Sequence, residues 1–185
     1  MALFALVGLL ALPALAFDTT PRHGDRIGIL GDGHAASLVR TYLRRELTKH
    51  GFDAFDVRGT VDNLHRSDAP DADFYVELIG DGHSSPYGGI GIGDRHFGVD
   101  ISVVVSRVAA SVNVYDGRTL EQIHSFDFHS RNTTVMPTSI GVGGRHLGLW
   151  IAVPFVQWGR YRSAARAVAH DAAESIIETA RADSR

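Results

Sequence analysis

The sequence predicts one small α/β (α+β) domain: an antiparallel or mixed sheet packed against two principal helices, with glycine-rich loops between elements. Three observations carry this expectation. Residues 35–49 place Leu38, Val39, Tyr42, Leu43 and Leu47 on one helical face and Arg40, Arg44, Arg45 and Glu46 off it. Residues 160–182 repeat the arrangement in an alanine-rich stretch, with Tyr161, Ala164, Ala165, Val168, Ala172, Ile176 and Ile177 as the buried stripe. Between the helices, Asp116-Gly117 separates two β-rich runs, which is a hairpin signal.

The elements follow in order. Residues 26–30 (RIGIL) read as a short strand that feeds the turn Gly31-Asp32-Gly33-His34, where Asp32 is placed to cap the helix over 35–49. Gly51 is a natural terminator of that helix, and 52–57 reads as a strand. A polar segment, 58–71, precedes a clearer strand at 73–79, and 81–94 reads as a glycine-rich loop. Residues 97–115 are rich in β-branched side chains; the stretch 100–108 does not alternate cleanly, so a helix is expected over one of its faces. After the turn, 119–129 alternates, with Phe126 and Phe128 on one side and Asp127 on the other. Residues 130–145 read as a second polar, then glycine-rich loop, and 147–156 as a strand or buried extended segment.

The first sixteen residues are apolar and end in Ala14-Leu15-Ala16, an A-x-A cleavage pattern, with polarity resuming at Asp18. The expected organisation is therefore a signal peptide at 1–16, although no Lys or Arg precedes its apolar run, and a secreted or periplasmic domain at 17–185. A domain of that size buries about 70% of its extended surface. No second hydrophobic stretch is long enough to span a membrane as a helix, so no membrane span is expected in the mature chain. There is no cysteine, which removes disulfides and thiolate chemistry and leads to the expectation of no covalent lipid after the leader. A net charge of −3 provides no general field for nucleic acid.

Histidine recurs after glycine. The tetrapeptide GDGH occupies 31–34 and 80–83, and looser versions end in His96 and His146. Residues 90–101 and 140–151 also echo one another, sharing Ile, Gly, Gly, Arg, His, Gly and Ile at equivalent places. Such a repeat predicts two similar approaches to one sheet, and it makes Arg95, His96, Arg145 and His146 the candidate binding surface. The enzymatic alternative uses His34, His83, His96 and His146 with Asp32, Asp81 and Asp94 as ligands to zinc or another divalent metal. A metal-bound water would then attack an ester or phosphoester. No H-E-x-x-H pairing accompanies these residues. Gly88-Gly89-x-Gly91-x-Gly93 lacks the Lys and Ser/Thr of a phosphate loop and leads toward a strand, so it is not read as one. Trp150, Phe155, Trp158 and Tyr161 are close in sequence, as core or as an aromatic contact surface. His124 is expected as a cross-strand surface residue, facing away from His129.

Two resemblances bear on function. Residues 26–47, RIGILGDGHAASLVRTYLRREL, resemble the opening block of the SGNH hydrolases, in which a strand delivers a Gly-Asp-Ser turn into a helix. The nucleophile's place is taken by Gly33, and the late His170 has Ala167 rather than Asp three residues before it, so the resemblance brings no Ser-His-Asp mechanism. At the level of organisation, the chain resembles the small periplasmic α/β domains of Gram-negative envelope lipoproteins, including curli-secretion and cell-wall-synthase-activator lipoproteins. The helix run Leu43, Leu47, Gly51, Phe52 and the hairpin pair Asp116 and Thr119 carry that likeness. It implies a non-enzymatic envelope accessory or binding protein without cofactor, whose partner is an envelope protein or another copy of itself. No catalytic residues are implied.

Overall fold

A computed structural model of the chain describes residues 21–64, 70–94, 96–142, 145–148 and 152–182. From its N-terminal end come β1 (Arg26–Leu30), α1 (His34–Lys49), β2 (Asp53–Asp56) and a short 3₁₀ turn (Val61–Asn63). β3 (Phe74–Gly93), β4 (Phe97–Asp116), β5 (Gln122–Val142), β6 (Arg145–Gly148) and α2 (Ala152–Ala182) follow. The strands make one mixed sheet in the order β2-β1-β3-β4-β5-β6. β1 runs parallel to both β2 and β3, as a crossover through α1 requires, while β3 to β6 form an antiparallel meander. The domain is thus a small α/β unit with a mixed sheet and two main helices, as the sequence predicts.

Both helices lie on the same face of the sheet. Val39, Leu43 and Leu47 of α1 and Ala164, Ala165, Val168, Ala169, Ala172, Ala173 and Ile176 of α2 share one core with Ile27, Ile29, Val76, Leu78, Val108, Val112 and Val114. The small side chains let α2 lie close to the strands. At Gly82 an added Cβ would sit 2.8 Å from the Tyr161 ring, so this strand position has to be glycine where α2 crosses it. A smaller cluster on the other face joins Leu30, Val57, Ala72 and Tyr75 with Leu64, Tyr115 and Leu120. There the buried Glu77 carboxylate accepts hydrogen bonds from the Val61 amide at 3.0 Å and the Tyr115 hydroxyl at 3.0 Å, holding the 3₁₀ turn against the sheet.

The β4–β5 turn explains Asp116 and Thr119. The Asp116 carboxylate accepts from the Arg118 amide (2.9 Å), the Thr119 amide (2.7 Å) and the Thr119 hydroxyl (3.1 Å). Burial works against its charge, but these bonds outweigh burial and hold its pKa below the ordinary carboxylate range. A Cβ on Gly117 would meet the Ala72 carbonyl oxygen at 2.0 Å, so no larger residue fits the turn.

Several elements depart from expectation. α1 is capped by Gly33, at φ 89°, with no side-chain cap; Asp32 does not cap it. The glycine-rich segments read as loops at 81–94 and 130–145 belong almost wholly to β3 and β5. The strand expected over 147–156 stops at Gly148, and α2 begins at Ala152, earlier than predicted. His124 is half-buried on the helix side of β5, stacked on Phe126 at 6.0 Å, and its Nε2 has no hydrogen-bond partner. The leader at 1–16 and Trp150 lie outside the described residues.

Ala169 is fully buried in the α2 seam. Ala169→Leu should overpack that seam and destabilise the domain by about 1–3 kcal/mol. Urea unfolding checks this, and an unchanged midpoint would contradict the close approach of α2.

Candidate interaction surface

β3, β4 and β5 contain 20, 20 and 21 residues. At ~3.3 Å per residue a 20-residue strand runs about 66 Å. The 31 residues of α2 reach only about 46 Å at 1.5 Å per residue. The first turn of α2 meets the strands where Val153 packs on Val104 and Met136. The sheet continues past this contact as an arm built from the ends of β3 and β5, the start of β4, and β6.

The sequence repeat builds the end of the arm. Its first copy runs from the end of β3 into β4, with Gly93 opposite Gly98. Its second runs from the end of β5 into β6, with Val142 opposite Arg145. The two lie side by side because β4 pairs with β5 through Phe97↔Val142, Gly98↔Gly141 and Val99↔Ile140. Asp94 closes the first copy by accepting amide hydrogen bonds from His96 (2.7 Å) and Phe97 (2.9 Å). Those bonds hold its pKa below the usual carboxylate range.

Alternation along the strands gives the arm two unlike faces. Ile92↔Val99↔Ile140, Ile90↔Ile101↔Pro137 and Phe97↔Val142 fall on one face, with Val103↔Val135 continuing it. Five of these side chains are strongly exposed: Ile90 at 70%, Ile92 at 62%, Phe97 at 55%, Val135 at 64% and Val142 at 58%. The opposite face carries Gly93↔Gly98↔Gly141, Gly91↔Asp100↔Ser139 and Gly89↔Ser102. On it the Ser139 hydroxyl donates to Asp100, and Ser102 and Thr138 share a hydrogen bond at 3.3 Å. A Cβ on Gly93 would lie 2.4 Å from Gly98 Cα, so the glycine is needed for the two strand ends to close.

The candidate binding residues are distributed over this end of the sheet. His96 is exposed beside the Asp94 turn, and Arg145 is exposed at the start of β6. Arg95 lies outside the described residues, and His146 is placed here only by its backbone register with Gly141.

The candidate metal ligands are not brought together among the described residues. His34 lines an open groove of about 290 Å³ with Gly82, Trp158 and Tyr161, where the His34 and Tyr161 rings stack at 5.6 Å; His83 borders it only as the next strand position, and alternation turns its side chain to the other face with Arg107. His96 stands at the far end of the arm, beyond Gly93, which is ten residues or about 33 Å of strand from His83. Asp32 ends the loop before α1, Asp81 accepts from the adjacent Gly82 amide (2.7 Å), and Asp94 is committed to its turn. Among the described residues no three His, Cys, Asp or Glu side chains converge to hold a metal. In the SGNH-like segment, Gly33 stands at the N-cap with no side chain to act as a nucleophile.

The exposed aliphatic face is absent from the sequence-based site. Its signal is present in I-G-I-G at 90–93 and I-G-V-G at 140–143, a period of two.

No protein-family model matches the sequence, and no curated protein matches it. Solved structures do match. A candidate neuraminyllactose-binding hemagglutinin homologue from Helicobacter pylori is 9% identical with a TM-score of 0.53, covering 86% of this chain and 91% of that one. A minor lipoprotein from Acinetobacter baumannii is 10% identical with a TM-score of 0.47, over 82% and 91% of the two chains. A candidate lipoprotein from Caulobacter crescentus is 14% identical with a TM-score of 0.40, over 83% and 88%. At 9% identity the Helicobacter pylori match shows a shared fold alone, and nothing in these matches is specific to curli secretion or to SGNH hydrolases.

These matches correct one expectation. The missing cysteine led to the inference that no covalent lipid is attached, yet proteins described as lipoproteins share this likeness. The fold is compatible with a lipid anchor. The cysteine argument concerned a single attachment point at the end of the leader, which lies outside the described residues. No helix among the described residues is long and apolar enough to cross a membrane.

Asp94→Ala should loosen the arm's end and speed amide hydrogen exchange at His96 and Phe97 while leaving Val112 and Val114 protected. Protonation should act the same way. Because the folded pKa is lowered, the contribution is complete above the unfolded value of about 3.9 and is lost as pH falls through the folded one. Exchange followed by mass spectrometry across acid pH checks both.

Proposed function

We propose that this chain is a non-enzymatic accessory or binding protein of the bacterial envelope, exported to the periplasm or beyond, that engages its partner through the β arm. The arm itself carries this reading. Two copies of one sequence pattern are built side by side at the end of strands that outrun their helix, and the core needs neither copy. Residues 1–16, with the A-x-A site, support export. The fold shared with a neuraminyllactose-binding hemagglutinin homologue supports a binding role. His96 and Arg145, exposed at the end of the arm, supply the polar rim of the proposed surface, with Arg95 and His146 assigned to it from the sequence repeat, and the partner is an envelope protein or another copy of the chain. Separation of the histidines favours binding over metal-dependent hydrolysis.

A photo-crosslinking residue at position 96 or 145 in cells tests the proposal, with exposed Asp171 of α2 as the control position. The expected result is an envelope-fraction adduct of defined mass from 96 and 145 and none from 171. It should be lost when Arg95, His96, Arg145 and His146 are replaced together. Equal adducts from all three positions, or a protein confined to the cytoplasm, would overturn it.

A further inference from the structure

The apolar face of the arm has a defined length and a defined end. Along β4 it runs through Phe97, Val99, Ile101, Val103 and Val105, about nine residues or ~30 Å. A strand crossing the hydrocarbon layer of a bilayer needs about 9–11 residues. Val105 has Ser85 and Thr133 beside it, and the next row across the sheet is His83↔Arg107↔Arg131, two arginines and a histidine at one level, all three exposed. Below them the same face is mixed, with Asp81↔Ala109↔His129 and then Ile79↔Ser111↔Asp127, where Ile79 is exposed.

A protein-binding patch needs no such banding. An aliphatic belt that ends in a cationic row, with glycine and serine on the reverse, is the pattern of a strand with lipid on one side and a polar space on the other. The positive row is complementary to anionic headgroups. We infer that the arm enters a lipid bilayer, with the face around Ile92, Val99 and Ile140 against hydrocarbon and His83, Arg107 and Arg131 at the headgroups. This deepens the binding reading above by naming what the arm's apolar face contacts.

The strand edges set a condition on the inserted state. β1 pairs only with residues 74–77 of β3, so the outer edge of the arm is open along β3 among the described residues. Open edges are not stable in hydrocarbon, where each unpaired amide and carbonyl costs several kcal/mol. Other copies of the chain supply strands of matching length and pattern, so the inserted form is an assembly of copies joined edge to edge.

The absence of cysteine permits a direct test on the full chain, since any introduced thiol is unique. Ile92→Cys and Ser125→Cys, each carrying an environment-sensitive fluorophore, would be mixed with vesicles of phosphatidylethanolamine and phosphatidylglycerol. Position 92 should shift to the blue, brighten several-fold and be quenched by nitroxide-labelled lipid, while position 125 stays in water. Ile92→Asp with Val142→Asp, both at exposed positions, should keep the far-ultraviolet spectrum and thermal midpoint and lower vesicle binding about tenfold or more. A blue shift without vesicles that grows with protein concentration would show a second copy covering the face, and would overturn the inference. So would a chain held on vesicles by its apolar first residues with position 92 still in water. If position 92 stays in water while 96 and 145 still crosslink to a defined envelope partner, lipid insertion fails and the binding reading stands.

Discussion

The contact between α2 and the sheet governs the rest of the molecule. Alanine at 164, 165, 169, 172 and 173 lets the helix lie close on Val108, Ala110, Val112 and Val114, and the same closeness demands glycine at 82 beneath Tyr161. Because α2 holds the sheet from one side only and is shorter than the strands, it defines two zones. Strand residues under the helix are core. Those past Val153 have no helix over them among the described residues and form the arm.

That division explains why one face of β4 changes character along its length. Val108, Val112 and Val114 are buried by α2. On the same face farther out stand Ser102, Asp100 and Gly98, where small and hydrogen-bonding side chains replace aliphatic ones. The opposite face inverts the pattern. It is polar at Ser111 and Arg107 and aliphatic from Val105 to Phe97. The hydrophobic register thus crosses from one side of the sheet to the other, which accounts for the lack of clean alternation over 100–108.

Outside the core, short-range capping fixes the turns. Asp116 and Asp94 each gather amides from residues two and three positions on, and each closes a hairpin. Glu77 does a related task at longer range, fastening the 3₁₀ turn to the sheet through the Val61 amide. These carboxylates are spent on structure, and no three potential metal ligands converge among the described residues. The chain's distinctive surface is therefore its arm.

The sequence by itself determined the two helices, their buried stripes and the hairpin at Asp116-Gly117, because amphipathic periodicity and turn chemistry are local. It also contained the repeat that builds the end of the arm. Tertiary structure decided what the glycines do. GDGH at 31–34 is a turn into a helix with Gly31 and Gly33 at positive φ, whereas the identical GDGH at 80–83 is straight strand. The difference lies in the pairing: residues 80–83 pair with Ala110, Ala109, Val108 and Arg107 of β4, whereas residues 31–34 enter no strand ladder among the described residues. Glycine at 89, 91 and 93 signals a loop when read locally and serves in the fold as one face of a strand. Its partner strand supplies the hydrogen bonds that outweigh glycine's freedom. Convergence of the histidines was likewise beyond the sequence, since 33 Å or so of β3 separates His83 from the Asp94–His96 turn.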